Sequence, residues 1–205
     1  MKYSTAGRMV GMGMLAGLAS LTTPAIADDM SPDALVQALK GGGHVIYMRH
    51  ARTETDYADQ ISAKMGNCAT QRVLSAEGWA DARGIGAAVA ALGIPVGDVL
   101  SSEYCRAWQT ADLAFGHHVA TDALNFEPAE NYDPAQISAM SARITPLLSA
   151  KPKDGNLAIV GHDDPFEAAT GIYPEPQGVA YVIRPDGAGG FAVLGHIDPA
   201  DWSKL

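Results

Sequence analysis

Cysteine is scarce: Cys68 and Cys105 are the only two in the 205-residue chain. Two cysteines without histidines at ligand spacing are too few for a zinc site. Neither sits in a Cys-x-x-Cys pair, so the usual motif for redox catalysis is missing. Basic residues are also few, 14 Lys and Arg against 23 Asp and Glu, for a formal charge of −9. An acidic chain offers no general basic face to nucleic acid, so any anion site has to be local. No Pro/Gly/Ser-rich linker, internal repeat or long charge run divides the sequence, which argues for one domain around a single core. The apolar run from Met9 to Leu21 is broken by Gly11, Gly13 and Gly17, and it is short for a membrane span.

That run reads better as part of an export signal. Residues 1–27 contain Lys2 and Arg8 but no acid, and the run leads to Ala25-Ile26-Ala27 followed by Asp28-Asp29. A cationic start, an apolar middle and small residues at the cleavage positions form a secretory signal. The pattern predicts cleavage after Ala27, a mature domain over residues 28–205, and a periplasmic or secreted location without stable membrane insertion. An uncleaved anchor is the alternative. Losing Lys2 and Arg8 would take the charge from −9 to −11. An oxidising compartment makes a Cys68–Cys105 disulfide the default reading, with two free thiols as the alternative.

Along the mature chain, strands and helices alternate. Ser31-Pro32-Asp33 opens a helix carrying Leu35, Val36 and Leu39, and Gly41-Gly42-Gly43 ends it. His44 to Met48 is a buried strand that runs into Arg49-His50, and residues 51–72 have the polarity of a loop over its end. Ser75 caps a second helix with Trp79, Ala82, Ile85, Ala88, Val89 and Leu92 at helical spacing, closed by Gly93 and Pro95. Val96 to Ser102 is a strand region, Tyr104 to Phe115 and Pro134 to Leu148 are helices, and Asn156 to Val160 is a strand breaking at Gly161-His162. A brief helix over 164–170 precedes a β-hairpin of Val179–Arg184 and Phe191–Ile197. The alternation predicts an α/β sandwich with a largely parallel sheet.

In such sheets ligands sit beyond the carboxyl ends of the strands. Three predicted strand ends carry reactive or polar groups: Arg49-His50, Ser101-Ser102 leading to Arg106, and Gly161-His162. Phosphoryl transfer needs donors around the phosphate oxygens, an in-line nucleophile and a proton for the leaving oxygen. A neutral imidazole can be that nucleophile. Flanking guanidiniums bind the dianion and also disfavour imidazolium, which leaves the ring free to attack. Arg106 in the first turn of a helix is poorly placed for the helix dipole, which suggests that an anion compensates it.

Met48-Arg49-His50-Ala51-Arg52-Thr53, Leu74-Ser75-x-x-Gly78, Ser101-Ser102-Glu103-Tyr104-Cys105-Arg106-Ala107-Trp108-Gln109-Thr110-Ala111 and Val160-Gly161-His162 occur in that order. The ordered set, from about residue 43 to at least 171, resembles the histidine phosphatase superfamily, also called the phosphoglycerate mutase-like family. The resemblance implies a three-layer sandwich, with His50 as nucleophile and Arg49, Arg106 and His162 forming the phosphate pocket. It implies no metal and no cofactor. The family signature begins Arg-His-Gly; here Ala51 replaces the glycine, a small change that should still admit phosphate close to the backbone. Thr53 matches the family's mutase-like branch, whereas Arg52 stands where that branch usually has glutamate. Arg52 is either an added pocket cation or a solvent-facing one, and Ser102 is either a donor to substrate or a strand-end cap. The proton donor is open. The acid-phosphatase-like branch points to Asp163, ranked first, and the mutase-like branch to Glu130, ranked second, or Glu127; Asp164 and Glu103 are further candidates. If Cys68 pairs with Cys105, the loop carrying Arg72 is tied next to Arg106 and brought within reach of substrate.

His44, His117, His118 and His196 read as structural or exposed, and Trp79, Trp108 and Trp202 as packing residues. The reading is a phosphatase for small phosphate monoesters, with envelope sugar phosphates among the candidate substrates. A protein phosphohistidine phosphatase and a phosphate-binding protein without turnover are the alternatives.

Overall fold

In the computed structural model, described over residues 25–26, 29–55, 59, 61–129 and 131–205, the strands are β1 (Ala25–Ile26), β2 (Val45–Arg49), β3 (Val96–Ser101), β4 (Val119–Ala120), β5 (Asn156–Gly161), β6 (Ala180–Pro185) and β7 (Phe191–Ile197). The helices are α1 (Pro32–Lys40), α2 (Ala76–Ala91), α3 (Cys105–Phe115), α4 (Pro134–Ser149) and α5 (Asp163–Thr170). The proposed export signal lies outside the described residues except for Ala25–Ile26, which pair with β7. Among the described residues, no helix is long and apolar enough to cross a membrane.

Local sequence explains most of the element ends. Ser31 and Ser75 accept hydrogen bonds from Ala34 N and Gly78 N, capping α1 and α2, and Asp133 with Gln136 forms a capping box at the start of α4. Gly116 ends α3 and Gly171 ends α5 in the left-handed conformation, which glycine adopts without a Cβ clash. The predicted hairpin is present as β6 and β7, antiparallel to each other. The two-residue strands β1 and β4 sit at the sheet's edges and are too short to show a period of two in the sequence.

The seven strands run in the order β1-β7-β6-β2-β5-β3-β4. β2, β5, β3 and β4 are mutually parallel, and β6 is antiparallel to both β2 and β7. Successive side chains point to opposite faces, so each buried strand supplies two cores. Ile46, Met48, Ala158, Val160 and Val182 pack with Leu35 and Leu39 of α1, Ile85 and Val89 of α2, and Ala107 and Ala111 of α3. Val45, Tyr47, Leu157, Ile159 and Ile183 pack with Ile144 and Leu148 of α4 and Phe166 of α5. The result is a three-layer α/β/α sandwich. Full burial of an aliphatic side chain contributes about 1.5–3 kcal/mol, so a central strand buried on both faces anchors the chain that follows it.

The register sets the position of the site. Arg49 of β2 lies beside Gly161 of β5, and Ser101 of β3 lies beside Val160 of β5. Beyond these pairs His50 N donates to Gly161 O and Ser102 N donates to Val160 O. His50, His162 and Ser102 therefore follow the carboxyl ends of three neighbouring parallel strands.

Candidate active site

His50 follows directly from β2 and is 1% exposed. Its Nδ1 lies 2.8 Å from Ala51 O, a carbonyl that can only accept, so Nδ1 carries the proton. The lone pair is then on Nε2, and Arg106 Nε donates to it across 3.2 Å. Burial, followed by the charges of Arg106 and Arg49, holds the imidazole pKa well below its ordinary value. The site thus contains a neutral, oriented imidazole with one nitrogen directed at a guanidinium.

Arg106 lies in the first turn of α3, and burial lowers its own pKa. Its charge is compensated by Asp59, whose Oδ2 accepts from Arg106 Nη1 at 2.7 Å and also from Arg72 N at 2.8 Å. Asp59 is 2% exposed. The anion expected next to Arg106 is therefore, in this structure, a carboxylate from the loop. Tyr104 and Phe126 stack on each other and flank the guanidinium, with its carbon 4.8 and 5.5 Å from their ring centroids.

Arg49 is held from the other side. Its Nη1 donates to Pro174 O at 2.9 Å, its Nη2 donates to Asp163 Oδ2 at 2.6 Å, and it lies over the Tyr173 ring. Tyr173 Oη donates to the same Asp163 oxygen. The Nε of Arg49, the Nε of Arg72 and the Nδ1 of His162 are buried without a hydrogen-bond partner. Buried donors without partners are uncommon in folded proteins, and here the two guanidinium Nε atoms belong to residues that line one cavity. That cavity has a volume of about 270 Å³ and its walls include Arg49, Asp59, Arg72, Arg106, Asp163 and Asp164.

His162 completes the set through a chain of hydrogen bonds. Asn125 Nδ2 donates to Glu103, which turns Asn125 Oδ1 toward the hydroxyl of Ser102. Ser102 donates its proton there at 2.7 Å and accepts from Tyr104 N, so toward His162 Nε2, 2.8 Å away, it can only accept. His162 therefore carries its proton on Nε2. Tyr47 Oη donates to the His162 carbonyl, and the approach of Tyr47 to Gly161 leaves no room for a Cβ there.

The other sequence candidates divide. Asp163 and Asp164 both line the cavity, as does Arg72, while Ser102 is buried behind His162. Cys68 and Cys105 form a disulfide, which joins the loop carrying Arg72 to the residue before Arg106. Arg52 is not a cavity cation: it is paired with Asp81 of α2, and its side chain is 55% exposed. Thr53 is buried, and its N–H donates to Gln177, a cavity residue. The Ala51 N–H is taken by Thr110 Oγ1 rather than presented to a ligand. Glu127 is occupied by Arg143 and Glu103 by Asn125. Glu130 lies outside the described residues. Asp59, Tyr132, Tyr173 and Gln177 were not singled out from the sequence, because none lies in a motif or in an element with a readable period.

No protein-family model matches the chain, and no curated protein matches it in sequence. Solved structures do match. The protein histidine phosphatase SixA complexed with tungstate superposes with a TM-score of 0.57 at 15% identity, over 77% of this chain and 98% of that one. A phosphoserine phosphatase mutant from Entamoeba histolytica, in complex with phosphoserine, gives 0.53 at 14% identity over 76% and 97%. A mycobacterial glucosyl-3-phosphoglycerate phosphatase gives 0.50 at 14% identity over 69% and 90%. The chain has the phosphoglycerate mutase-like fold of the histidine phosphatases.

Proposed function

We propose that this protein is a phosphoric monoester hydrolase that works through a phosphohistidine at His50, without a metal, in the periplasm or outside the cell. The observation that carries the reading is the Arg106 Nε–His50 Nε2 contact beside a cavity walled by three arginines. Proteins of the same fold act as protein histidine phosphatase, phosphoserine phosphatase and glucosyl-3-phosphoglycerate phosphatase, which supports phosphatase chemistry in this chain. The disulfide and the cationic, apolar and small-residue pattern of residues 1–27 support export.

In this mechanism an incoming phosphate takes the place of Asp59 as the partner of Arg106, while Arg49 keeps its pair with Asp163. Arg106 and Arg49 bind its oxygens, and His50 Nε2 attacks phosphorus in line with the leaving oxygen. Burial and the flanking guanidiniums lower the pKa of His50 and so favour the unprotonated ring. Its Nδ1–H bond to Ala51 O stabilises the positive charge that develops as the N–P bond forms. Water then attacks the phosphohistidine and releases inorganic phosphate.

The test is hydrolysis of p-nitrophenyl phosphate by the full chain and by His50→Ala in excess chelator, with acid-labile phosphate trapped on the protein. Chelator-resistant turnover and labelling that both vanish in His50→Ala are expected. Phosphate binding without turnover or labelling would point to a binding protein instead.

A further inference from the structure

We propose that Asp164 is the acid that protonates the leaving oxygen, and that the second cavity it borders receives the leaving alcohol. The inference rests on the phosphatase reading and assigns the part of the reaction which that reading leaves open.

The two carboxylates at the start of α5 differ in what they hold. Asp163 Oδ2 accepts from Arg49 and from Tyr173 at once. Protonating Asp163 would break the ion pair that orients a phosphate-binding guanidinium, so this side chain is a positioning residue. Asp164 makes no such pair; its Oδ2 accepts from Tyr132 Oη at 2.9 Å. Asp164 also borders two cavities, the arginine-walled one and a neighbouring space of about 350 Å³ lined by Tyr132, Ile137, Met140, Glu167 and Gly171. Its carboxyl therefore stands between the place that suits a phosphoryl group and one large enough for the alcohol attached to it.

The charges around Asp164 come from three elements. Asp163 and Glu167 lie on its own helix, Tyr132 on the segment before α4, and Arg49 on β2. Burial first, and then the charge of Asp163, raise its pKa to about 6, against the opposing pull of the Tyr132 hydrogen bond and Arg49. A carboxyl poised there can give a proton and take one back near neutrality. In the first step the His50 Nε2 lone pair forms the N–P bond, the P–O bond breaks, and the leaving oxygen takes the Asp164 proton. In the second, water gives a proton to the Asp164 carboxylate as its oxygen attacks phosphorus, and the N–P electrons return to Nε2.

The second cavity also sets the substrate class. Its named walls carry carboxylates and apolar groups but no cation, so a leaving group with a second negative charge is disfavoured. The alcohol it suits is neutral or amine-bearing.

The experiment compares single-turnover phosphoenzyme formation by the full chain, D164N and D163N on p-nitrophenyl phosphate and glycerol 1-phosphate. The aryl leaving group departs without a proton, whereas the alkyl one needs it. D164N is expected to slow the glycerol ester about 10²-fold or more beyond its effect on the aryl ester, whereas D163N slows both alike. Equal losses in D164N, or the selective loss in D163N, would overturn the assignment. Wild-type turnover of 3-phosphoglycerate should be roughly tenfold or more below that of glycerol 1-phosphate; equal or faster turnover would remove the leaving-group cavity. Failure of the wild type to label His50 with any ester would defeat the phosphatase reading itself, and is distinct from these outcomes.

Discussion

Arg106 Nε donates to His50 Nε2 while Arg106 Nη1 donates to Asp59, so one guanidinium links the candidate nucleophile to a buried carboxylate. A lysine keeps the charge but cannot make both bonds from one planar group. Arg106→Lys is expected to lower kcat/KM on p-nitrophenyl phosphate by about 10²–10³-fold, the range for loss of a preorganised donor. Steady-state kinetics on folded protein checks this; a loss below tenfold would mean that charge alone suffices.

The same pair predicts a stability effect that depends on ligand. Asp59 and Arg106 have side chains 2% and 4% exposed, and removing one partner of a buried pair costs about 3–5 kcal/mol because the other charge is left uncompensated. Asp59→Ala should be destabilised by that order in phosphate-free buffer. Vanadate should then raise its Tm more than it raises the wild-type Tm, since the anion takes the vacant place. Equal shifts would show that Arg106 does not meet the anion.

The disulfide closes a loop between residues 37 apart in sequence, for which loop-closure entropy gives roughly 3–4 kcal/mol. It also attaches the Arg72 and Asp59 loop to the start of α3. Cys68→Ser with Cys105→Ser should therefore lower stability by about that amount and raise KM for aryl phosphate, because Arg72 loses its tether. Chemical denaturation and kinetics measure the two effects separately; a stability loss with unchanged KM would leave Arg72 outside substrate binding.

The pH dependence follows from two opposite shifts. Burial and the neighbouring arginines hold the His50 pKa well below its ordinary value, whereas burial and Asp163 raise that of Asp164 to about 6. The alkaline fall in kcat/KM for an alkyl phosphate should therefore run through about pH 6 and be absent in Asp164→Asn. A raised folded-state pKa contributes stability that is fully present below the unfolded value of about 4 and is lost as pH rises through about 6. Asp164→Asn should thus gain Tm relative to wild type at pH 7.5 compared with pH 4.5. A pH-independent difference would mean that the carboxyl does not titrate in that window.

Much of this architecture was legible without coordinates because it is local. Ser31 and Ser75 cap the helices they precede, as their place before the apolar periods implied. The continuous apolar runs of β2 and β5 read as strands buried on both faces, which they are. Alternating elements imply a parallel sheet, and a parallel sheet places its strand ends together. That is why His50, Ser102 and His162 could be grouped from three distant segments.

The partners of those residues were decided by the tertiary structure. Asp59 sits in a loop without periodicity, and only folding, with the Cys68–Cys105 bond, brings it to Arg106. Arg52 and Arg72 are both loop cations in the sequence, yet one pairs with Asp81 at the surface and the other lines the cavity. Asp163 and Asp164 are adjacent and chemically identical as sequence. Their different roles come from side chains delivered by other elements, Arg49 and Tyr173 to one and Tyr132 to the other. Residue type and spacing determined the fold and the reactive groups, because caps, strands and helices are short-range choices. Which charge meets which was set by the packing, because it depends on distances between segments that are far apart along the chain.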